Sequence, residues 1–170
     1  VELAALTVTM THIARRRLLS VCAVKRERVV TIPHGATLPR VTAPTSTPSS
    51  PMALTWGLLG PGKGIEWVID ALALVKDVTP PINYVIAGQT HPKVLANEGE
   101  RYRNMLQNRA EQLGVSSQVT FDPQYRSLPE LLDLIAEATC VVLPYDSTDQ
   151  ITSGVLVDAV VAGRPVVATA

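Results

Sequence analysis

From Met52 onward this 170-residue chain repeats one rhythm, a short apolar run followed by an amphipathic stretch. Ala53-Leu54-Thr55-Trp56-Gly57 reads as a strand and residues 65–78 as a helix. Tyr84-Val85-Ile86-Ala87-Gly88 is the next strand, followed by a long, more polar helix over 95–113. Gln118–Phe121, Cys140–Leu143 and Val166–Ala168 read as further strands, with helices at 128–138 and 153–163 between them. Strands that are apolar along their whole length must be covered on both faces, and the intervening helices supply the cover. The expected fold is α/β, a Rossmann-like parallel sheet with helices on both faces. Ligands of such sheets bind at the carboxyl ends of the strands, so the strand-to-helix loops are where chemistry belongs.

Upstream, Leu6–Met10 reads as a strand and residues 11–24 as a helix with Ala14, Leu18 and Val21 on its apolar stripe. Arg28–Ile32 forms another strand, halted by Pro33-His34-Gly35. Arg15, Arg16, Arg17, Lys25, Arg26 and Arg28 make a local basic cluster, either a solvated face or a patch for an anionic membrane or partner. Residues 41–51 are rich in Pro, Ser and Thr without an apolar period, and read as a surface loop.

Fifteen basic and fifteen acidic residues leave no net charge, so the electrostatic footprint of a nucleic-acid binder is missing. Aromatic residues, at 4%, are too few for a base-stacking platform. Cys22 and Cys140 have neither metal-ligand nor disulfide-framework spacing; Cys140 opens an apolar run and reads as a small core residue. No apolar run approaches membrane-span length and no signal-peptide pattern is present, so a cytoplasmic setting is expected. Val1 and Ala170 read as cuts in a longer chain, with the sheet lacking its next element.

The polar loop from Asp146 to Thr152 ends at a Ser153-Gly154 corner and runs into an apolar helix. Ser and Thr are good N-caps, and unpaired N–H groups with the helix dipole make such a start attractive to phosphate or carboxylate. Asp158 follows Gly154 by one helical turn, so the two share a face, and its carboxylate leans toward the corner. It is the sole charge in a helix of Val, Leu and Ala and needs a donor, either an internal cap or a ligand hydroxyl.

A second such corner is Gly57-Leu58-Leu59-Gly60-Pro61-Gly62-Lys63-Gly64. Its glycines allow close backbone approach, and Lys63 places a point charge at a helix start. Gly57, Gly62 and Lys63 satisfy the first seven places of a Walker A motif, but the eighth, which should hold magnesium through Ser or Thr, is Gly64. Two phosphate-friendly corners at one sheet edge suit a diphosphate. His91, after the strand ending at Gly88, reads as a substrate donor or a cap, and His34 is open in the same way.

Together these residues resemble the donor-binding half of GT-B glycosyltransferases, specifically the retaining glycosyltransferase family 4. Val30-Thr31-Ile32-Pro33-His34-Gly35 is similar to the family's V-x-x-I-P-x-G segment, and Gly57-Leu58-Leu59 with Lys63-Gly64 to its G-R-L-x-x-x-K-G loop. Val85–Gly88 matches a strand ending in glycine, and residues 150–169 match the acidic motif with its closing A-x-G-x-P-V-V-A-T. The resemblance implies the end of an N-terminal domain or an interdomain segment over 1–27, and a nucleotide-sugar-binding Rossmann-like domain over 28–170 that is expected to be truncated at its C-terminus. It implies a diphosphate on Gly60, Gly62, Lys63, Gly64, Gly154 and Val155, ribose hydroxyls on Asp158, and a donor sugar near Gln150, Thr152 and Ser153. The sequence departs from the pattern at Leu58, in place of arginine, and at Gln150, in place of glutamate. The implied activity is hexose transfer from a UDP- or GDP-sugar, without a metal or other cofactor. The acceptor, a glycan, lipid or small molecule, would come through an N-terminal domain, with possible peripheral membrane contact, and the fragment alone is expected to bind nucleotide without transferring sugar. Competing readings are a non-catalytic nucleotide-sugar-binding domain and an NTPase.

Overall fold

A computed structural model of the chain describes residues 4–36, 50–147 and 151–169. Gln150 and residues 41–49 of the Pro/Ser/Thr-rich loop lie outside them. At the amino end, β1 (Thr7–Thr9), α1 (His12–Val21) and β2 (Val29–Thr31) form a parallel two-stranded unit with its own register, Thr7 opposite Val29. Thr11 caps α1 by accepting from the Ala14 amide. Arg15 turns out of the basic cluster and donates to the carbonyls of Val29 and Arg26, closing α1 onto the segment that leads into β2.

The rest of the described chain is built on one parallel sheet. Its strands are β3 (Met52–Trp56), β4 (Asn83–Ala87), β5 (Val119–Asp122), β6 (Cys140–Leu143) and β7 (Val166–Ala168), in the order β5-β4-β3-β6-β7. Successive side chains of each strand enter opposite layers. Ala53, Tyr84 and Ile86 pack with α2 (Ile65–Leu74) and with a helix over 101–112 through Ile65, Ile69, Leu106 and Ala110. Leu54, Trp56, Ala87, Val141 and Leu143 pack instead with α5 (Leu128–Glu137) and α6 (Gly154–Val161) through Leu134, Ile135 and Ala159. The expected sheet with helices on both faces is the fold observed.

The expected long helix over 95–113 is two helices, α3 (Pro92–Glu98) and α4 (Arg101–Gln112). Gly99, at φ 63°, separates them in a backbone conformation that continues neither. The helix expected over 65–78 stops at Leu74, and the one expected over 11–24 at Val21. At the sheet centre Tyr84 donates to Thr55 at 2.9 Å, and Thr55 donates to the Val142 carbonyl at 2.6 Å. This chain of bonds satisfies the polar atoms that β4 and β3 bury. Burial raises the Tyr84 phenol above its ordinary range, so it stays a neutral donor.

Strand order places the functional crevice. The chain winds outward from β3 to β4 to β5, then crosses back and continues on the other side of β3 as β6 and β7. Right-handed crossovers put helices on opposite faces before and after that reversal. The loops after β3 and β6 therefore diverge around a gap at the carboxyl edge, where a ligand can enter.

Candidate functional site

The two loops at this gap are tied together by backbone. Asp146, after β6, donates its N–H to the Gly62 carbonyl at 3.1 Å. Gly64 caps α2 at φ 65°, and a Cβ there would lie 1.8 Å from the Pro144 carbonyl oxygen. Only glycine allows both the left-handed turn and this approach. The same contact argues against a Walker A loop, because the Ser or Thr that such a motif needs at position 64 would strike Pro144.

Lys63 stands half-buried between these loops with its ammonium 4.8 Å from the centre of the Tyr145 ring. An ammonium over an aromatic face is attracted by the ring quadrupole. Burial lowers the Lys63 pKa from its ordinary value, so the charge is held at some cost and an anion would relieve it. The Tyr145 hydroxyl lies 3.4 Å from Ser153 Oγ, and Ser153 caps α6 by accepting from the Leu156 amide at 3.2 Å. Lys63 and the start of α6 are thus on the same rim, joined through one tyrosine.

The other expected residues fall around this centre. Gly60 and Lys63 close a turn by a hydrogen bond from the Lys63 amide, and Gly62 sits exposed in that turn at φ 83°. Gly154 opens α6, whereas Val155 packs its side chain into the core under the sheet, leaving its backbone for the corner. Thr152 is exposed beside Ser153. Asp158 is half-buried one turn further on, and among the described residues no hydrogen bond or ion pair holds its carboxylate. Among the described residues no internal cap bond occupies it. Gln150 lies outside the described residues.

Tyr145 was not legible as a site residue. His34, open in the sequence between substrate donor and cap, lies at the corner: a Cβ on Gly154 would come within 3.0 Å of its Nε2, so the loop after β2 rests on the start of α6. His34 Nδ1 lies 2.6 Å from the Gly35 carbonyl, which orients the ring. His91, by contrast, caps α3 by accepting from the Lys93 amide. A hollow of about 130 Å³ adjoins the glycine-rich loop at the ends of β3, β4 and β5. Leu58, Gly88, Gln124, Tyr125, Arg126 and Leu131 help to line it, and Arg126 is pinned to Asp122 by a 2.8 Å bond. A larger open groove of about 620 Å³ is lined only by residues between 98 and 112, away from the strand ends.

With a cation, a capped helix start and a free carboxylate at one switch point, the arrangement can hold a phosphate-bearing ligand. The family model described as Glycosyl transferases group 1 matches residues 43–170. A search of curated proteins gives no match. Among solved structures, HepE from Anabaena in complex with UDP and glucose is similar at 20% identity and a TM-score of 0.73, covering 97% of this chain and 44% of that one. WaaG, a glycosyltransferase involved in lipopolysaccharide biosynthesis, is similar at 22% identity and 0.75, covering 96% and 44%. A TarM variant from S. aureus, in complex with Fondaparinux, alpha-GlcNAc-glycerol and UDP, is similar at 17% and 0.72, covering 96% and 29%. At these identities the likeness shows the fold, that of GT-B glycosyltransferase domains, and the chain spans less than half the length of each. The family match extends over residues 43–170, three quarters of the chain, and on that ground the chain belongs to the group 1 glycosyl transferases.

Proposed function

We propose that this chain is the donor-binding domain of a retaining family 4 glycosyltransferase that moves a hexose from a UDP- or GDP-sugar to an acceptor. The observation that carries this reading is the convergence of Lys63 and the α6 start on Tyr145. The diphosphate lies between them, with Gly60, Gly62, Gly64 and the backbone of Gly154 and Val155 letting it approach. Asp158 takes the ribose hydroxyls, and its lack of a protein partner among the described residues supports that role. The base enters the hollow beside Gly88 and Gln124. Thr152 and Ser153 meet the donor sugar, together with Gln150, which lies outside the described residues.

In transfer, the bond from the anomeric carbon to the donor phosphate oxygen breaks and the diphosphate leaves with the electron pair. The acceptor oxygen bonds to the anomeric carbon in its place, and its proton passes to the departing diphosphate. Lys63 and the helix N-terminus stabilise the charge that grows on the leaving diphosphate, a task that needs no metal. HepE, similar in fold, is also known in complex with UDP-glucose, which supports a UDP-linked donor. Residues 1–27 belong to the segment joining an N-terminal domain that brings the acceptor.

Calorimetric titration with UDP, GDP and ADP tests the site. Binding of UDP or GDP in preference to ADP is expected, unchanged by a chelator, and failure of all three removes the assignment. Leu58 and Gln150 favour a second reading, a domain that binds nucleotide-sugar without catalysis. Sugar transfer by the longer protein, lost on Lys63→Ala, would dismiss it.

A further inference from the structure

Arg103 is the one charged residue that is buried among the described residues, with 8% of its surface exposed. A buried guanidinium is costly unless its donors are satisfied, and an apolar side chain of similar size is often the more stable choice. Its satisfaction is incomplete. Nε donates to Glu100 Oε2 at 3.1 Å and Nη2 donates to the Gly88 carbonyl at 2.8 Å, while Nη1 is buried without a partner. Stability alone does not account for such a residue, so its contacts are informative.

Those contacts converge on the segment after β4. Arg103 holds Gly88 directly, and Glu100, which it pairs with, accepts from Thr90 Oγ1 at 2.5 Å. Residues 88 and 90 are thereby anchored to α4 at two points. The same segment holds the glycine-rich loop: the Leu59 amide donates to the Gln89 carbonyl at 2.9 Å, and the His91 amide donates to the Leu59 carbonyl at 2.8 Å. Gly88 also abuts Gly57 so closely that a Cβ on it would lie 2.0 Å from the Gly57 carbonyl oxygen. The route runs from α4 through residues 88–91 into the loop that carries Lys63.

Resting on the donor-site reading above, we propose that Arg103 is a positioning residue: by clamping Gly88 and, through Glu100, Thr90, it sets the glycine-rich loop in the register that seats base and diphosphate. Arg103 touches neither of them itself. Its planar fork presents two separate nitrogens, Nε and Nη2, to two acceptors, where a lysine offers a single one.

The test is Arg103→Met in the full chain, read by amide hydrogen exchange and by titration with UDP. Exchange at the Leu59 and His91 amides should speed up by about tenfold or more while that of Ile86, inside β4, is unchanged. UDP should bind about tenfold more weakly without a matching loss of thermal stability. Unchanged exchange at Leu59 and His91 overturns the proposal, and so does faster exchange with UDP affinity unaltered. Full recovery of both readouts by Arg103→Lys also overturns it, because charge alone would then suffice. If Arg103→Met does not fold, Thr90→Val cuts the route at its other end and leaves the guanidinium in place; wild-type exchange at Leu59 in that variant overturns the idea. Wild-type protein that binds no UDP would remove the donor-site reading, and the exchange measurements would still decide the role of Arg103.

Discussion

The Lys63 ammonium faces the Tyr145 ring at 4.8 Å, and the hydroxyl of the same tyrosine lies 3.4 Å from Ser153 Oγ. A cation from the loop after β3 and the cap of the helix after β6 therefore share one intermediary. The ring gives the ammonium a place to stand without neutralising it, so the charge stays available to an incoming anion.

Lys63→Ala removes that charge. A charge-assisted bond contributes about 1.5–3 kcal/mol, so UDP affinity should fall roughly tenfold to a hundredfold. Thermal stability should hold or rise slightly, because a desolvated ammonium is lost. Unaltered affinity by calorimetry would count against the diphosphate seat.

The pH dependence follows from the same burial. Lys63 has its pKa lowered by desolvation, whereas in the unfolded chain it titrates near the ordinary value of about 10.4. Between the two values the unfolded chain holds more protons, so the cost of a charged Lys63 is full below the folded pKa and is relieved as pH rises through that window. Binding has the opposite dependence, since the deprotonated amine cannot hold phosphate by charge. UDP affinity should decline on the alkaline side before ordinary lysines titrate, and Lys63→Arg should flatten that limb. An equal decline in both proteins would assign the effect elsewhere.

Glycine substitutions in the loop should separate contact from conformation. Gly62→Ala meets open space but must keep φ 83°, and should cost about 1 kcal/mol. Gly64→Ala must also place a Cβ 1.8 Å from the Pro144 carbonyl oxygen, and should destabilise by about 3 kcal/mol or more, or prevent folding. Denaturant midpoints compare them, and equal midpoints would refute the close approach of the two loops.

Asp158→Ala tests the ribose assignment. Loss of a carboxylate that accepts from ribose hydroxyls should weaken UDP by about tenfold while leaving 2′-deoxy-UDP less affected. The ratio of the two affinities, by calorimetry, is the readout. Parallel losses would place Asp158 in a structural role instead.

Particular residues show how far the chain could be read before its fold was known. The apolar runs at β3, β4 and β6, the Ser153 cap and the glycine-rich loop were all legible, because each depends on neighbours within a helical turn or two. The interruption at Gly99 was missed, since a glycine inside a polar helical pattern is compatible with continuing or ending it. Arg15 read as part of a charged face, and its bonds to Val29 and Arg26 needed the return of the chain at β2.

What the amino-acid order determined by itself was the alternation of strand and helix, the α/β class and the two corners suited to phosphate, because periodicity and capping are local. Which corners become neighbours was decided by tertiary structure. The crossing from β5 back to β6, on the far side of β3, brought Lys63 to Tyr145 and Ser153 and put Gly154 against His34, while the return of α4 over β4 buried Arg103 behind Gly88. Strand order arises from packing two helical layers against one sheet with right-handed crossovers, a non-local condition that no window of the sequence contains.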